Sequence, residues 1–139
     1  MNPHCLIPEV LIMAKRIIST QEAPAALGFY SQATATDTTL YCSGQIGIRP
    51  DTGELEHGVE AQARQAFRNL EAVIAEADRS TAQVMKLTIF LASIDDFAVV
   101  NRVMGEFFEA PYPARSCLAV AALPKGALVE VEAIVDLAP

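Results

Sequence analysis

The chain has 139 residues and a mass of 14.9 kDa, is 52% hydrophobic and 19% charged, and so fits one globular domain with a real core rather than a disordered segment. Its net charge is −7 with a pI near 4.7, and its ten Lys and Arg are scattered, with no run longer than Lys15-Arg16. That balance speaks against a phosphate-backbone binder, and no apolar stretch approaches the roughly 20 residues of a membrane span.

Met1 to Ala14 holds apolar residues but no basic leader, and Pro3, Pro8 and Glu9 interrupt it, so it makes a poor signal peptide. Met13-Ala14-Lys15-Arg16 reads as a second start, which leaves residues 1–12 as an appendage and 13–139 as a single domain. Lys15 to Ser19 reads as a short edge strand. Tyr30 to Thr36 and Leu40 to Ser43, either side of Asp37-Thr38-Thr39, form a hairpin pattern, and Arg49 to Glu54 is a loop of turn-formers. From Val59 to Ala77 the residues Ala63, Ala66, Phe67, Leu70, Val73, Ile74 and Ala77 recur at three and four, which predicts an amphipathic helix.

A strand follows over Gln83 to Ser93, with Met85, Leu87, Ile89 and Leu91 on one side and Lys86, Thr88 and Phe90 on the other. Ser93 or Asp95 caps a second helix reaching about Glu109, with Phe97, Val100, Met104, Phe107 and Phe108 as its stripe and Pro111 and Pro113 stopping it. Two more strands, Arg115 to Ala122 and Leu128 to Leu137, close the order β-β-β-α-β-α-β-β. Two helices cannot cover both faces of a six-stranded sheet, so they pack on one, giving an α+β sandwich. The last strand turns Val129, Val131, Ala133, Val135 and Leu137 towards them. Its other side, Glu130, Glu132, Ile134 and Asp136, must be wet or buried against another copy, and its mixed character favours an oligomer interface with a polar pocket.

Three cysteines, Cys5, Cys42 and Cys117, cannot all pair within one chain, and a reduced cytoplasmic protein with buried thiols is the expectation. His4 and His57 have no partner at ligand spacing, so no metal site is expected. Asp51-Thr52-Gly53 matches the aspartic-protease triplet but sits in a turn without the apolar strand that chemistry needs. Gly44-Gln45-Ile46-Gly47 is a weak phosphate cradle, because a loop with Pro50 follows it rather than a helix; its glycines more simply let backbone approach something closely. Cys117 has no histidine placed to activate it and suits a small buried hydrophobe. Tyr30 suits hairpin packing or a hydroxyl in a pocket. Asn101 is a poor helix former inside the second helix, either exposed or a tether for a neighbouring subunit.

Arg115 stands at the start of an apolar strand, where its planar fork suits a small carboxylate. Glu130, on what reads as a neighbouring strand, is placed to handle a proton or a water beside that acid. A structural Arg–Glu ion pair is the other reading of the same two residues.

Six segments in order carry a resemblance: Ala23 to Tyr30, Ser43-Gly44-Gln45, Ala61 to Gln65, Asp96 to Asn101, Pro113 to Cys117 and Glu130 to Ile134. With them the chain resembles the RidA family of reactive-intermediate (enamine/imine) deaminases over about Met13 to Leu137. The resemblance implies a chorismate-mutase-like α+β fold, a homotrimer with clefts between subunits, and cofactor-free, metal-free hydrolysis of 2-imino acids such as 2-iminopropanoate and 2-iminobutanoate to 2-oxo acids and ammonia. It further implies Arg115 as the carboxylate-binding residue, Glu130 as the water-orienting one, and Tyr30, Ser43, Gly44, Asn101 and Cys117 as other cleft positions. Phe29 departs from the family's usual proline before the tyrosine, which bears on substrate size. Three other functions fit less well. A trimeric small-carboxylate binding or regulatory protein would use Arg115 without turnover, an RNA-directed inhibitor conflicts with the charge, and chorismate mutase should need more than one cationic clamp.

Overall fold

The structure, a computed structural model, describes residues 15–139, so the expectations for residues 1–12 and for Met13 as a start lie outside the described residues. Six strands form one sheet: β1 (Arg16–Ile18), β2 (Ala33–Ala35), β3 (Thr39–Ile46), β4 (Val84–Leu91), β5 (Ala114–Ala119) and β6 (Val129–Asp136). Their order is β1-β2-β3-β6-β4-β5, antiparallel except for the parallel β4–β5 pair. The two helices, α1 (Val59–Glu76) and α2 (Phe97–Met104), pack on one face, as the element count requires.

The apolar stripe of α1 supplies Ala63, Ala66, Phe67, Leu70, Val73 and Ile74 to the core, opposite Leu40, Leu87, Ile89, Val131 and Val135 of the sheet. Phe67 is fully buried, stacks on Phe107 with ring centroids 5.4 Å apart, and meets the edge of Phe108 at 6.0 Å. Burial of that one side chain stabilises the fold by about 2–3 kcal/mol. At the C-terminal end of α1, Asp78 takes a left-handed φ of 59°, which turns the chain and lets its N–H donate to the Ala75 carbonyl.

Three expectations need correction. α2 ends at Met104 rather than near Glu109, because Gly105 follows and the chain continues in turns; residues Ile94–Asp96 ahead of it form a 3₁₀ turn capped by the Ser93 hydroxyl. Met85 is exposed rather than facing the helices, since a bulge between Val84 and Lys86 resets the alternation and buries Val84 instead. The strand expected over Arg115 to Ala122 runs from Ala114 to Ala119, and it is an edge strand, largely exposed on both faces. It is separated from β6 by β4, so Arg115 and Glu130 do not sit on neighbouring strands.

A second bulge shapes the outer face. In β3 the register shifts between Cys42 and Gln45, so Ser43 and Gly44 together oppose the single residue Glu132 of β6. Cys42 and Gln45 both stay buried, while Ser43 and Gly44 turn outward. Three buried amides that pattern reading passed over brace the loops around this bulge. Gln32 accepts from Thr20 N at 2.7 Å and donates to the Thr20, Ala23 and Pro24 carbonyls. Asn69 donates to the Ile46 and Ile48 carbonyls, and Gln62 joins the Glu56 carbonyl to the Leu128 N–H. Each satisfies backbone groups that would otherwise be buried without partners.

Candidate active site

Glu130 alternates with Val129 and Val131, which are fully buried under the helices, so its carboxyl points to the opposite face. There it borders a cleft of about 740 Å³ lined also by Tyr30, Ser43, Gly44 and Glu132. Gly44 is there for space. A Cβ on it would stand 2.7 Å from both Cδ and Oε2 of Glu130, so only glycine lets that carboxyl lie against the β3 backbone. Ser43 is fixed by its hydroxyl donating to the Ser31 carbonyl at 2.6 Å and its N–H donating to Gln32 O at 2.9 Å. Tyr30 is half exposed at the cleft's mouth, after Gly28 at φ 140°, and is not packed into the hairpin, whose first strand begins only at Ala33.

Burial holds the Glu130 carboxyl above its ordinary range, and the neighbouring Glu132 carboxylate pushes it further the same way. A carboxylate that is partly desolvated and faces a cleft is a better proton acceptor than one in water, which suits general base work. Arg49 and Lys125 stand on the same cleft's rim; Arg49 is held by Asp51 at 3.0 Å, whereas Lys125 has no ion pair among the described residues.

Arg115 lies on the other side of the sheet. It pairs in register with the buried Leu87, and its guanidinium reaches α2, donating to Asn101 Oδ1 and lying over the Phe97 ring with 5.4 Å to the centroid. A second, smaller hollow contains Arg115, Asn101, Met104 and Tyr112. Cys117 follows two residues along β5, in register with Ile89 and only partly buried; burial raises its thiol pKa and the Arg115 charge offsets part of that. Cys42 is a buried thiol pushed up to about 12 by desolvation, so neither cysteine is an activated nucleophile.

The sequence-derived site residues therefore fall into two groups. Tyr30, Ser43, Gly44 and Glu130 share one cleft, Arg115 and Asn101 share the other, and Cys117 borders neither. No ion pair joins Arg115 to Glu130 or to any other acid among the described residues, so the structural-pair reading does not hold within one chain. Asn101 is exposed on α2 and spends its carbonyl on Arg115. Asp51-Thr52-Gly53 is the turn expected, with Asp51 in a surface ion pair to Arg49 and its carboxyl held below the usual range by that arginine. Among the described residues no group of three or more His, Cys, Asp or Glu is placed to hold a metal ion, and no helix is long and apolar enough to cross a membrane. Phe97 and Glu132 are the neighbours that the sequence reading left out of the site.

These features define a class: a small α+β protein with an arginine that has no ion pair among the described residues on one face of its sheet and a partly desolvated glutamate in a cleft on the other. The chain belongs to the family described as Endoribonuclease L-PSP, whose model matches residues 20–137. A protein of Capra hircus named 2-iminobutanoate/2-iminopropanoate deaminase is 46% identical over 128 residues, which cover 91% of this chain and 93% of the relative. Among solved structures, RidA from an Antarctic Psychrobacter superposes with a TM-score of 0.85 at 46% identity, covering 87% of this chain and 98% of that one. Escherichia coli TdcF with bound serine superposes with a TM-score of 0.84 at 41% identity, with the same coverage. The matches bear out the resemblance to the RidA family.

Proposed function

We propose that this protein is a cofactor-free hydrolase of reactive 2-imino acids, such as 2-iminopropanoate and 2-iminobutanoate, releasing the 2-oxo acid and ammonia. The unit that does so spans residues 13–139 and works as a homotrimer in the cytoplasm, where the free thiols of Cys42 and Cys117 stay reduced. Curated relatives bear the corresponding name, and TdcF holds serine, itself a small molecule with a carboxylate.

The observation that carries the reading is the division of the site. Arg115 and Glu130 face opposite sides of one sheet, so a small substrate touches both only where two copies meet. The outer face that carries Glu130 also exposes Tyr41 and Ile134 in register and Leu118 beside Phe90, an apolar surface suited to a second copy. In the assembled cleft, Arg115 of one copy holds the substrate carboxylate, and backbone groups near Arg115 and Cys117 orient the imine nitrogen. Glu130 of the other copy accepts a proton from water as its oxygen bonds to C2, and the C=N pair of electrons moves to nitrogen. That proton passes to the nitrogen to give the carbinolamine; Glu130 then takes the proton of the new C2 hydroxyl and delivers it to the amino group, so that the C–N bond breaks and ammonia leaves as the C2 carbonyl forms. Positioning supplies most of the acceleration, since imines already hydrolyse in water.

The family's description also raises ribonuclease activity. A net charge of −7, with Glu130 and Glu132 lining the main cleft, disfavours a polyanion there. The test is to generate 2-iminobutanoate in situ with an amino-acid oxidase and follow 2-oxobutanoate release. Acceleration lost in Arg115→Ala supports the reading; no acceleration, with 2-oxobutanoate still bound, would support a carboxylate-binding protein without turnover.

A further inference from the structure

Arg115 differs from the three ion-paired arginines in what holds it. Arg49, Arg64 and Arg102 each meet a carboxylate, from Asp51, Glu106 and Glu60 respectively. Arg115 meets none among the described residues. Its partners are the Phe97 ring face, the Asn101 amide oxygen and, at 3.4 Å, the Met104 thioether sulfur. The three lie at i, i+4 and i+7 of α2 and so form one stripe beneath the guanidinium. All three are attractive to a cation and none carries a charge.

Both bonds use Nη1, and Nε and Nη2 have no protein acceptor among the described residues. That free edge is the one that can meet two oxygens of a carboxylate side by side. A carboxylate at position 101 would hold the arginine more tightly but would cancel its charge and compete for the fork. An alanine there would leave the long side chain free to wander, and fixing it on binding would cost affinity.

We infer that Phe97, Asn101 and Met104 form an uncharged cradle that fixes the Arg115 fork while leaving its charge for the ligand, with Phe97 and Met104 as positioning residues. The inference rests on the reading of Arg115 as the carboxylate anchor. It gives Phe97 a role that its place in a helix stripe hides, and it moves Asn101 from ligand contact to support of the arginine.

The test uses the full chain with 2-oxobutanoate as the probe, its dissociation constant measured by calorimetry and the melting temperature of each variant in parallel. Asn101→Asp should weaken binding about tenfold or more while leaving the melting temperature unchanged or higher, because the new ion pair helps the fold and harms the site. Phe97→Leu should weaken it roughly two- to fivefold, raising KM for the imine more than it lowers kcat, and Phe97→Tyr should restore it. A merely structural role predicts affinity and stability falling together. Loss of binding in Arg115→Ala with wild-type affinity in Asn101→Asp and Phe97→Leu would overturn the cradle alone. Wild-type protein that binds no 2-oxobutanoate would overturn the anchor and the cradle together.

Discussion

Replacing Gly44 by alanine perturbs the proposed base without touching its chemistry. Gly44 has no left-handed φ, so the backbone accepts alanine, and the strand setting favours it slightly over glycine. The added Cβ would stand 2.7 Å from Glu130 Cδ and Oε2 and 3.1 Å from Cγ. Relieving the overlap moves the carboxyl by roughly 1 Å, since carbon atoms settle about 3.5–4 Å apart. The escape costs only about 0.5–1.5 kcal/mol of rotamer energy, so the fold should survive nearly intact. Catalysis should not, because misplacing a reacting group by about 1 Å costs on the order of 100-fold in rate. Turnover of 2-iminobutanoate generated in situ should therefore fall about 100-fold, with a melting temperature within a few degrees of wild type. Binding of 2-oxobutanoate should be reduced far less, because Arg115 projects from the other face. A Gly44→Ala protein with wild-type turnover would show that the position of the Glu130 carboxyl does not govern the reaction.

Glu130 also makes the pH dependence informative. As the proposed base it works ionised, and its pKa is raised, so activity should be lost as pH falls through a value above the ordinary carboxylate range. Glu132→Gln removes the smaller cause and leaves burial, so the acid limb should move to lower pH but not all the way; an unmoved limb would refute the coupling. The same raised pKa means that ionising Glu130 costs stability as pH rises through it, so Glu130→Gln should melt higher than wild type at neutral pH, with the gap closing under acid. Gly47→Ala tests packing rather than chemistry. Its Cβ would stand 2.5 Å from the Gln62 backbone, which cannot yield, so thermal melting should drop by roughly 6–12 °C, for about 2–3 kcal/mol. In light scattering the protein should be a trimer of roughly 45 kDa, three copies of a 14.9 kDa chain; a monomer at micromolar concentration would remove the basis for a shared cleft.

The elements with long periodic patterns were legible in the sequence: the α1 stripe through Phe67 and Ile74, and the strict alternation of β6 that turns Glu130 away from the core. Interruptions of period were not. The bulges at Ser43-Gly44 and at Met85 each insert one residue; Gly44 marks the first only as a place of close approach, nothing local marks the second, and both answer to the register of β6 across the sheet. The placement of β5 beyond β4 was hidden for a related reason, since strand order is a long-range property, and with it went the true relation of Arg115 to Glu130. The buried amides Gln32, Gln62 and Asn69 read as ordinary polar residues until the backbone groups they satisfy are in view. Phe97 fitted a core stripe by spacing, yet it is the first residue of the helix and its ring lies under Arg115 of the edge strand.

The proposed division of one site between two copies can be measured by mixing two dead proteins. Arg115→Ala and Glu130→Gln should each be inactive as pure trimers. Unfolded together in equal amounts and refolded, they assort at random, and a cleft taking Arg115 from one copy and Glu130 from its neighbour is intact in about a quarter of cases. Imine hydrolysis should return to roughly that fraction of wild type, and pure trimers mixed without unfolding should stay inactive. Refolded mixtures that form trimers but remain as inactive as the parents would place both residues' work within one chain, or outside the reaction, and would contradict the account.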